Sequence, residues 1–407
     1  RICMALSVGS IEEIYEKISR FIEIVMLKGK GGSLYDRFRK FKSLSSIGEL
    51  LPVRRKGRGR CQEILMKDIN LYDFPILYCW PKDGGRFITL PIVNTIDIEK
   101  KLPNAGMYRM QVIDNNTTGM HWHLHKTGAY HYNGYKRRGV RMPVTVTLGG
   151  DPIYGYVATA PLPKDIDEYI LAGFIRGKSV NMVKSITNDI YIPEDSDIVI
   201  EGYVDVEEEL FYEGPFGDHT GFYSLEDYYP VFHVTCITCR RDAIYPATIV
   251  GIPPMEDKYF TMVSSKVFLT IVKSFIIPEV VDWIFPDEGV THNLVIVKVK
   301  CDYKGVGFKV INALWGLGQM MFCKIIITVG ENDVINDYRL MLKRLVNSIL
   351  LGNYIISKGP LDVLDHSTDV VGYGGKMGID LTICSDVINY NISKSVLNNI
   401  LVENEDL

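Results

Sequence analysis

The run Tyr212-Glu-Gly-Pro-Phe-Gly-Asp-His-Thr-Gly-Phe-Tyr223 carries two carboxylic acids, Glu213 and Asp218, in a segment unsuited to helix or central strand. Glycines at 214, 217 and 221 and a proline at 215 dictate a tightly turned loop with unusual backbone angles. Two acids held close together in a partly dry site repel each other and lose hydration. That raises at least one pKa and leaves a carboxyl able to give up a proton near neutrality. The same residues also describe a solvated Gly/Pro turn with two surface acids. The rest of the chain decides between the two.

The second stretch with chemical content runs from Asn104 to Tyr132 and holds Arg109 together with four of the eight histidines. His121, His123 and His125 alternate, so on a strand all three would point to one face, a geometry that can hold a metal. A half-exposed strand face explains the alternation equally well. Cys236 and Cys239 form one CxxC inside the strand-like run Val231-Phe-His-Val-Thr-Cys-Ile-Thr-Cys239; with no second pair at zinc spacing they read as sheet residues. Arg54 to Arg60 is the densest positive run, and with two glycines among its charges it reads as a solvated loop.

These residues sit in a chain of 407 with 47% hydrophobic content and a formal charge of -4, long enough for two or three domains and without the excess charge of a nucleic-acid binder. The eight cysteines fall at irregular intervals, which points to reduced thiols and a cytoplasmic setting rather than a disulfide framework. No apolar run reaches the roughly 18 to 20 residues that span a bilayer, and the start lacks the pattern of a signal peptide. The chain opens at Arg1 without an initiating Met, in what already reads as a folded element, so upstream sequence is expected.

The elements that must position the two stretches follow in order. Ser10 to Lys28 has an N-cap serine, acids in its first turn and apolar residues at 11, 14, 15, 18, 22 and 25, the pattern of an amphipathic helix. From Phe87 the texture changes to short strands, at 86–94, 108–114, 144–149, 197–204 and 231–238, with one helix at 165–176; this predicts a largely antiparallel sheet or barrel. After Pro253-Pro254, strand and helix alternate, with strands at 294–299 and 325–329 and helices at 307–322 and 337–350, which reads as a separate α/β layer.

Asn104-x4-Arg109, Thr118-Gly-Met-His-Trp-x-x-His-Lys126, Glu213-Gly-Pro-Phe-Gly-Asp-His-Thr-Gly221 and Gly374-Gly-Lys-Met-Gly-Ile-Asp380 together resemble the UbiD family of decarboxylases. The similarity covers nearly the whole chain, with the four motifs in family order. It implies an α+β protein: a small N-terminal α/β segment (1–70, shortened relative to the family), a central split β-barrel that binds flavin (71–255) and a C-terminal α/β domain that mediates homo-oligomer assembly (256–407). It also implies non-oxidative decarboxylation of an aromatic acid of hydroxybenzoate type, as in ubiquinone or menaquinone biosynthesis. A prenylated substrate of that kind would bring the chain to a membrane surface. The implied cofactor is prenylated FMN, supplied by a flavin prenyltransferase, with Mn²⁺ or another divalent ion and, as a further ion, K⁺.

Carried over by position, Arg109, Glu213 and Asp218 match the catalytic arginine and two acids. Asn104, Met107, Tyr108, Arg109, His125 and Lys376 fall at cofactor-binding positions, with Asn104 and His125 as metal ligands. Hard oxygen donors with one imidazole suit Mn²⁺, and a lysine suits phosphate. Glu213 is the expected proton donor, tuned by Asp218, whereas His121 and Cys239 are expected to be structural. Where many members carry a metal-binding Glu, this chain reads Lys184-Ser-Ile-Thr-Asn-Asp189, with Ile186 at the ligand position; isoleucine has no electron pair to donate. An FMN reductase on a split barrel would explain the barrel and the phosphate lysine, but not an arginine with two acids. A non-catalytic remnant would explain Ile186, but not three intact catalytic positions.

Overall fold

Runs rich in β-branched residues pair into one antiparallel sheet in the central half of the chain. Its order is Ile64–Leu65, Val231–Cys239, Ile198–Val204, Met142–Leu148, Ile92–Ile96 and Pro103–Met107, with Thr117–Gly119 also pairing to Val231–Cys239. The computed structural model describes residues 50–382 except 124–125, 161, 163–164, 349–351, 366 and 369, together with 8–10, 13–14, 16–18 and 21. Among the described residues the pairing is an open path and does not close into a ring.

Successive side chains leave a strand on opposite faces, and this sheet buries both. Val93 joins the larger core with Val144, Val146, Ile198, Ile200, Phe232 and Trp122. Its neighbour Ile92 joins a second core with Ile14, Ile18, Phe21 and the helix Glu168–Arg176. Of the expected helix at 10–28, residues 13–14, 16–18 and 21 are helical, and Ser10 Oγ accepts from Glu13 N at 3.2 Å as its cap; residues 22–28 lie outside the described residues.

The C-terminal half is a mixed five-stranded sheet in the order Val280–Ile284, Leu294–Val299, Ile325–Gly330, Tyr373–Asp380 and Tyr354–Pro360, parallel in its middle and antiparallel at both edges. The helix Val306–Trp315 covers one face through Val306, Val310, Ile311 and Leu314, while Met341 of Tyr338–Ser348 packs on the other. The helix expected over 307–322 therefore stops at Trp315, where Gly316 caps it, and a short 3₁₀ turn at Gly318–Phe322 follows.

Three helices escape the sequence reading, the shortest being Ile153–Val157. Thr127–Arg138 lies where the sequence reading placed no element; Lys136, Arg137 and Arg138 in its last turn and Gly139 beyond it at φ 60° are the signals of a helix end. Glu256–Ile271 follows Pro253-Pro254 and opens with two acids in its first turn. Two expected strands also shift: Pro91 divides the first into Phe87–Ile88 and Ile92–Ile96, because it has no N–H for the ladder, and the second is replaced by Pro103–Met107 and the short Met110–Gln111. No described helix is long and apolar enough to cross a membrane.

Candidate active site

The acidic loop is the connection of a hairpin. Phe211–Glu213 pairs with Asp227–Tyr229, setting Glu213 opposite Asp227, and a further bridge joins Gly217 to Tyr223. The tip turns on Asp218 N, which donates to the Phe222 carbonyl at 3.0 Å, and on Gly221 at φ 83°. Gly214 is required for a different reason, since a Cβ there would come within 2.6 Å of Gly84 Cα. The turn chemistry thus holds Glu213 at a strand end and Asp218 five residues further on, both buried.

Arg109 enters from the other side, just beyond the strand Pro103–Met107. Its Nε and Nη2 both donate to Glu213 Oε1, at 3.0 and 2.9 Å, Nη1 donates to Asp218 Oδ2 at 3.0 Å, and Nη2 also donates to Ser224 Oγ at 3.0 Å. The guanidinium lies over the Phe216 ring at 4.6 Å. A guanidinium has five N–H groups; these four bonds leave one, on Nη1. The planar fork of Arg109 is thus largely engaged by the protein's own acids.

Burial opposes ionisation of Glu213, but the Arg109 charge and the His121 bond outweigh it and hold the pKa below the usual carboxylate value, so the raised pKa expected of two close acids is not found. Asp218 is likewise desolvated, yet the ring and backbone N–H of His219, at 2.9 and 2.7 Å from Oδ1, together with Arg109, hold it far below that range. His219 is desolvated in turn, but Asp218 and Asp257 raise its pKa to about 9, so it is an imidazolium at neutral pH. Glu213 Oε2 is buried and has no hydrogen-bond partner.

His121 belongs to this cluster. Its Nδ1 lies 2.8 Å from Glu213 Oε1, its ring packs on Tyr229 at 4.2 Å between centroids with the planes tilted by 38°, and Nε2 meets His123 Nε2 at 2.5 Å. The reading of His121 as structural missed this because residues 120–123 are irregular rather than strand, so alternation does not fix which way the side chains point. Ser224 was missed as well, although it lies one residue beyond the motif.

The remaining sequence candidates are placed as follows. Asn104 is buried, and its Nδ2 has no partner. Met107 N donates to the Ala158 carbonyl. The buried Tyr108 receives a bond at its hydroxyl from Gly128 N, in the first turn of Thr127–Arg138. Trp122 Nε1, also buried and unpartnered, packs at the same place: a Cβ on Gly128 would come within 2.6 Å of it. His125 lies outside the described residues. Lys376 is not brought to Arg109; it is buried in the C-terminal sheet, where Nζ donates to the Met321 carbonyl and lies 5.8 Å from the Trp315 ring. Ile186 is 40% exposed, and its N–H with that of Thr187 donates to the wholly buried Glu201. Cys236 and Cys239 are free thiols in the strand Val231–Cys239.

Comparison with known proteins identifies the family of a chain with this fold. The 3-octaprenyl-4-hydroxybenzoate carboxy-lyase Rift-related domain matches residues 53–253, and the C-terminal domain of the same carboxy-lyase matches 258–381. The chain belongs to the UbiD family. It is thereby a carboxy-lyase by class. An uncharacterized protein of Aquifex aeolicus is 45% identical over 94% of this chain and 78% of its own length, and one of Archaeoglobus fulgidus 41% identical over 94% and 78%. Among solved structures, Sedimentibacter hydroxybenzoicus vanillic acid decarboxylase in its closed form superposes with a TM-score of 0.74 at 26% identity, covering 92% of this chain and 79% of that one. The UbiD-class enzyme HmfF of Pelotomaculum thermopropionicum, in complex with FMN, shares the fold with a TM-score of 0.79 at 22% identity, covering 96% and 82%.

Proposed function

We propose that this UbiD-family chain removes CO₂ non-oxidatively from an aromatic acid of hydroxybenzoate type, a prenylated quinone precursor being the substrate class, with prenylated FMN as cofactor. The observation that carries this reading is Arg109, half-buried, bridging the buried Glu213 and Asp218 while one oxygen of Glu213 is left without a partner. The vanillic acid decarboxylase is named for an aromatic acid of the same class.

The described residues fit a flavin phosphate. Asn104 Nδ2 and Trp122 Nε1 are buried N–H donors without partners, and Trp122 sits against the N-terminus of the twelve-residue helix Thr127–Arg138. Helix N-termini favour phosphate, because their first N–H groups and the helix dipole both point at it. Asn104, Tyr108, Trp122 and this helix end would hold the phosphate. The central sheet, read as a split barrel, would carry the flavin ring, and the domain from 256 onward would carry homo-oligomer assembly. When bound, prenylated FMN supplies a conjugated, electron-poor ring system that takes up charge from the carbon losing CO₂.

The protein's part follows from the geometry. The N–H left on Arg109 Nη1 binds and orients the substrate carboxylate. Glu213 rests as a carboxylate, so it first takes up a proton from solvent at Oε2, which has no competing partner; the carbon–carbon bond to CO₂ breaks, and that proton replaces CO₂ on the carbon, leaving Glu213 ionised again. Asp218, ionised between Arg109 and His219, keeps Arg109 in place. An FMN reductase gives no role to two acids clamped on one arginine, and a remnant has no need to keep a buried, half-satisfied carboxylate. The test is to co-express the chain with a flavin prenyltransferase, record the mass and absorbance of the bound flavin, and measure CO₂ release from a panel of hydroxybenzoates. Prenylated FMN bound with release of CO₂ is expected; unmodified FMN with NAD(P)H oxidation would overturn the proposal.

The metal is a different case. Among the described residues no group of three His, Cys, Asp or Glu can hold an ion, and position 186 offers none. The described residues do not complete a Mn²⁺ site, and no step above depends on one. Ile186→Glu is expected to raise Mn²⁺ affinity, measured by titration calorimetry, by about 10- to 100-fold, the usual scale for restoring one element of a metal site. Since Ile186 is 40% exposed, the new carboxylate costs little desolvation. Tight Mn²⁺ binding by the wild type, with no gain in the variant, would show that another residue supplies the ligand.

A further inference from the structure

Oε1 of Glu213 accepts three N–H groups, from Arg109 Nε, Arg109 Nη2 and His121 Nδ1, whereas Oε2 accepts none although it is buried. The two oxygens of a free carboxyl are equivalent; here they are not. A proton placed on Oε1 would be driven against three donors, because a carboxyl O–H is itself a donor and its oxygen keeps little capacity to accept. We propose that His121 is a positioning residue for Glu213, fixing Oε2 as the oxygen that carries the transferable proton. This rests on the reading of Glu213 as proton donor.

His121 can act this way because its own surroundings fix it. The residue is 7% exposed, its ring packs against Tyr229, and Nε2 lies 2.5 Å from His123 Nε2. The consistent tautomer has Nδ1–H donating to the carboxylate and Nε2 accepting from His123. Burial, with Arg109 nearby, lowers the pKa of His121, which keeps it neutral and in that tautomer. The other charged group facing it is Asp218, itself clamped by Arg109 and His219. Gly119 keeps the space beside Oε2 clear: a Cβ there would lie 3.7 Å from that oxygen and 3.2 Å from Phe211 Cδ1.

The test compares His121→Leu, which removes the donor, with His121→Asn, whose amide N–H stands near the place of Nδ1–H, in the flavin-loaded protein. His121→Leu should lower kcat about 10- to 100-fold, part of the 10²- to 10⁴-fold that a positioned proton donor supplies, with KM changed less than about threefold. His121→Asn should recover most of the loss. Removing a bond that favours the ionised form raises a carboxyl pKa, so the pH limb reporting Glu213 should move up in His121→Leu, and the carboxyl C=O stretch of Glu213 in infrared difference spectra should persist to higher pH. Thermal unfolding of both variants checks that the fold is retained. A His121→Leu variant with near-wild-type kcat and an unmoved limb would overturn the proposal. So would equal losses in both variants with the limb unmoved, since that marks a packing role. Glu213→Gln run alongside separates the two readings: an active Glu213→Gln sinks the proton-donor assignment itself, while an inactive one with an unaffected His121→Leu sinks only the role of His121.

Discussion

Glu213→Gln should lower CO₂ release by about 10²- to 10⁴-fold with flavin binding unchanged, the range set by losing a positioned general acid. Glutamine fills the same space. Its carbonyl oxygen can still accept from Arg109 and His121, and those three donors would repel its NH₂, so the amide orientation is fixed. The NH₂ then occupies the place of Oε2, where it can donate a hydrogen bond but cannot give a proton to carbon. Single-turnover decarboxylation, measured together with bound flavin by absorbance, decides the matter. Turnover at the wild-type rate would remove Glu213 from the chemistry.

Arg109→Met should abolish activity and also destabilise the fold, by about 3 to 5 kcal/mol, because removing one partner of a buried ion pair leaves its acids uncompensated. Both acids are nearly inaccessible, Glu213 at 1% and Asp218 at 6% exposure. The pH dependence gives a sharper signature than the size of the loss. In the wild type the pKa of Glu213 lies below its ordinary value, so it contributes stability that is present above the unfolded carboxylate pKa and lost as pH falls through the folded one. Without Arg109, burial is opposed only by His121, and the folded pKa rises above the unfolded value. The folded state then binds more protons than the unfolded state, so the stability of the variant should decline as pH rises from about 5 to 8. Urea unfolding at both ends of that window tests the sign. A variant whose stability is flat or rising there would mean that the ion pair is not what keeps Glu213 ionised.

The sequence by itself determined the chemical vocabulary of the site. Glycines at 214, 217 and 221 and Pro215 forced a turn between Glu213 and Asp218, and the hairpin Phe211–Glu213 with Asp227–Tyr229 closes on that turn. β-Branched runs such as Ile198–Val204 and Val231–Cys239 announced their strands because the strand preference of β-branched residues is a local property. The alternation after Pro254 likewise announced a second α/β sheet, ordered as the topology shows.

Only the tertiary structure decided what pairs with what. Arg109 and Glu213 are 104 positions apart in the chain, and nothing local says that the guanidinium fork is filled by the protein's own acids rather than left open. His121 looked like one of an alternating set, yet the backbone there is irregular and its partner lies 92 positions away. Residues 307–322 looked like one helix because apolar spacing does not register the break that Gly316 makes. Lys376 looked like a phosphate ligand by motif, and its side chain is instead buried against the Met321 carbonyl. For the polar groups the deciding term is desolvation: which buried polar group finds which partner is settled when distant segments of the chain pack, and Oε2 of Glu213 is the oxygen that this packing leaves without a partner.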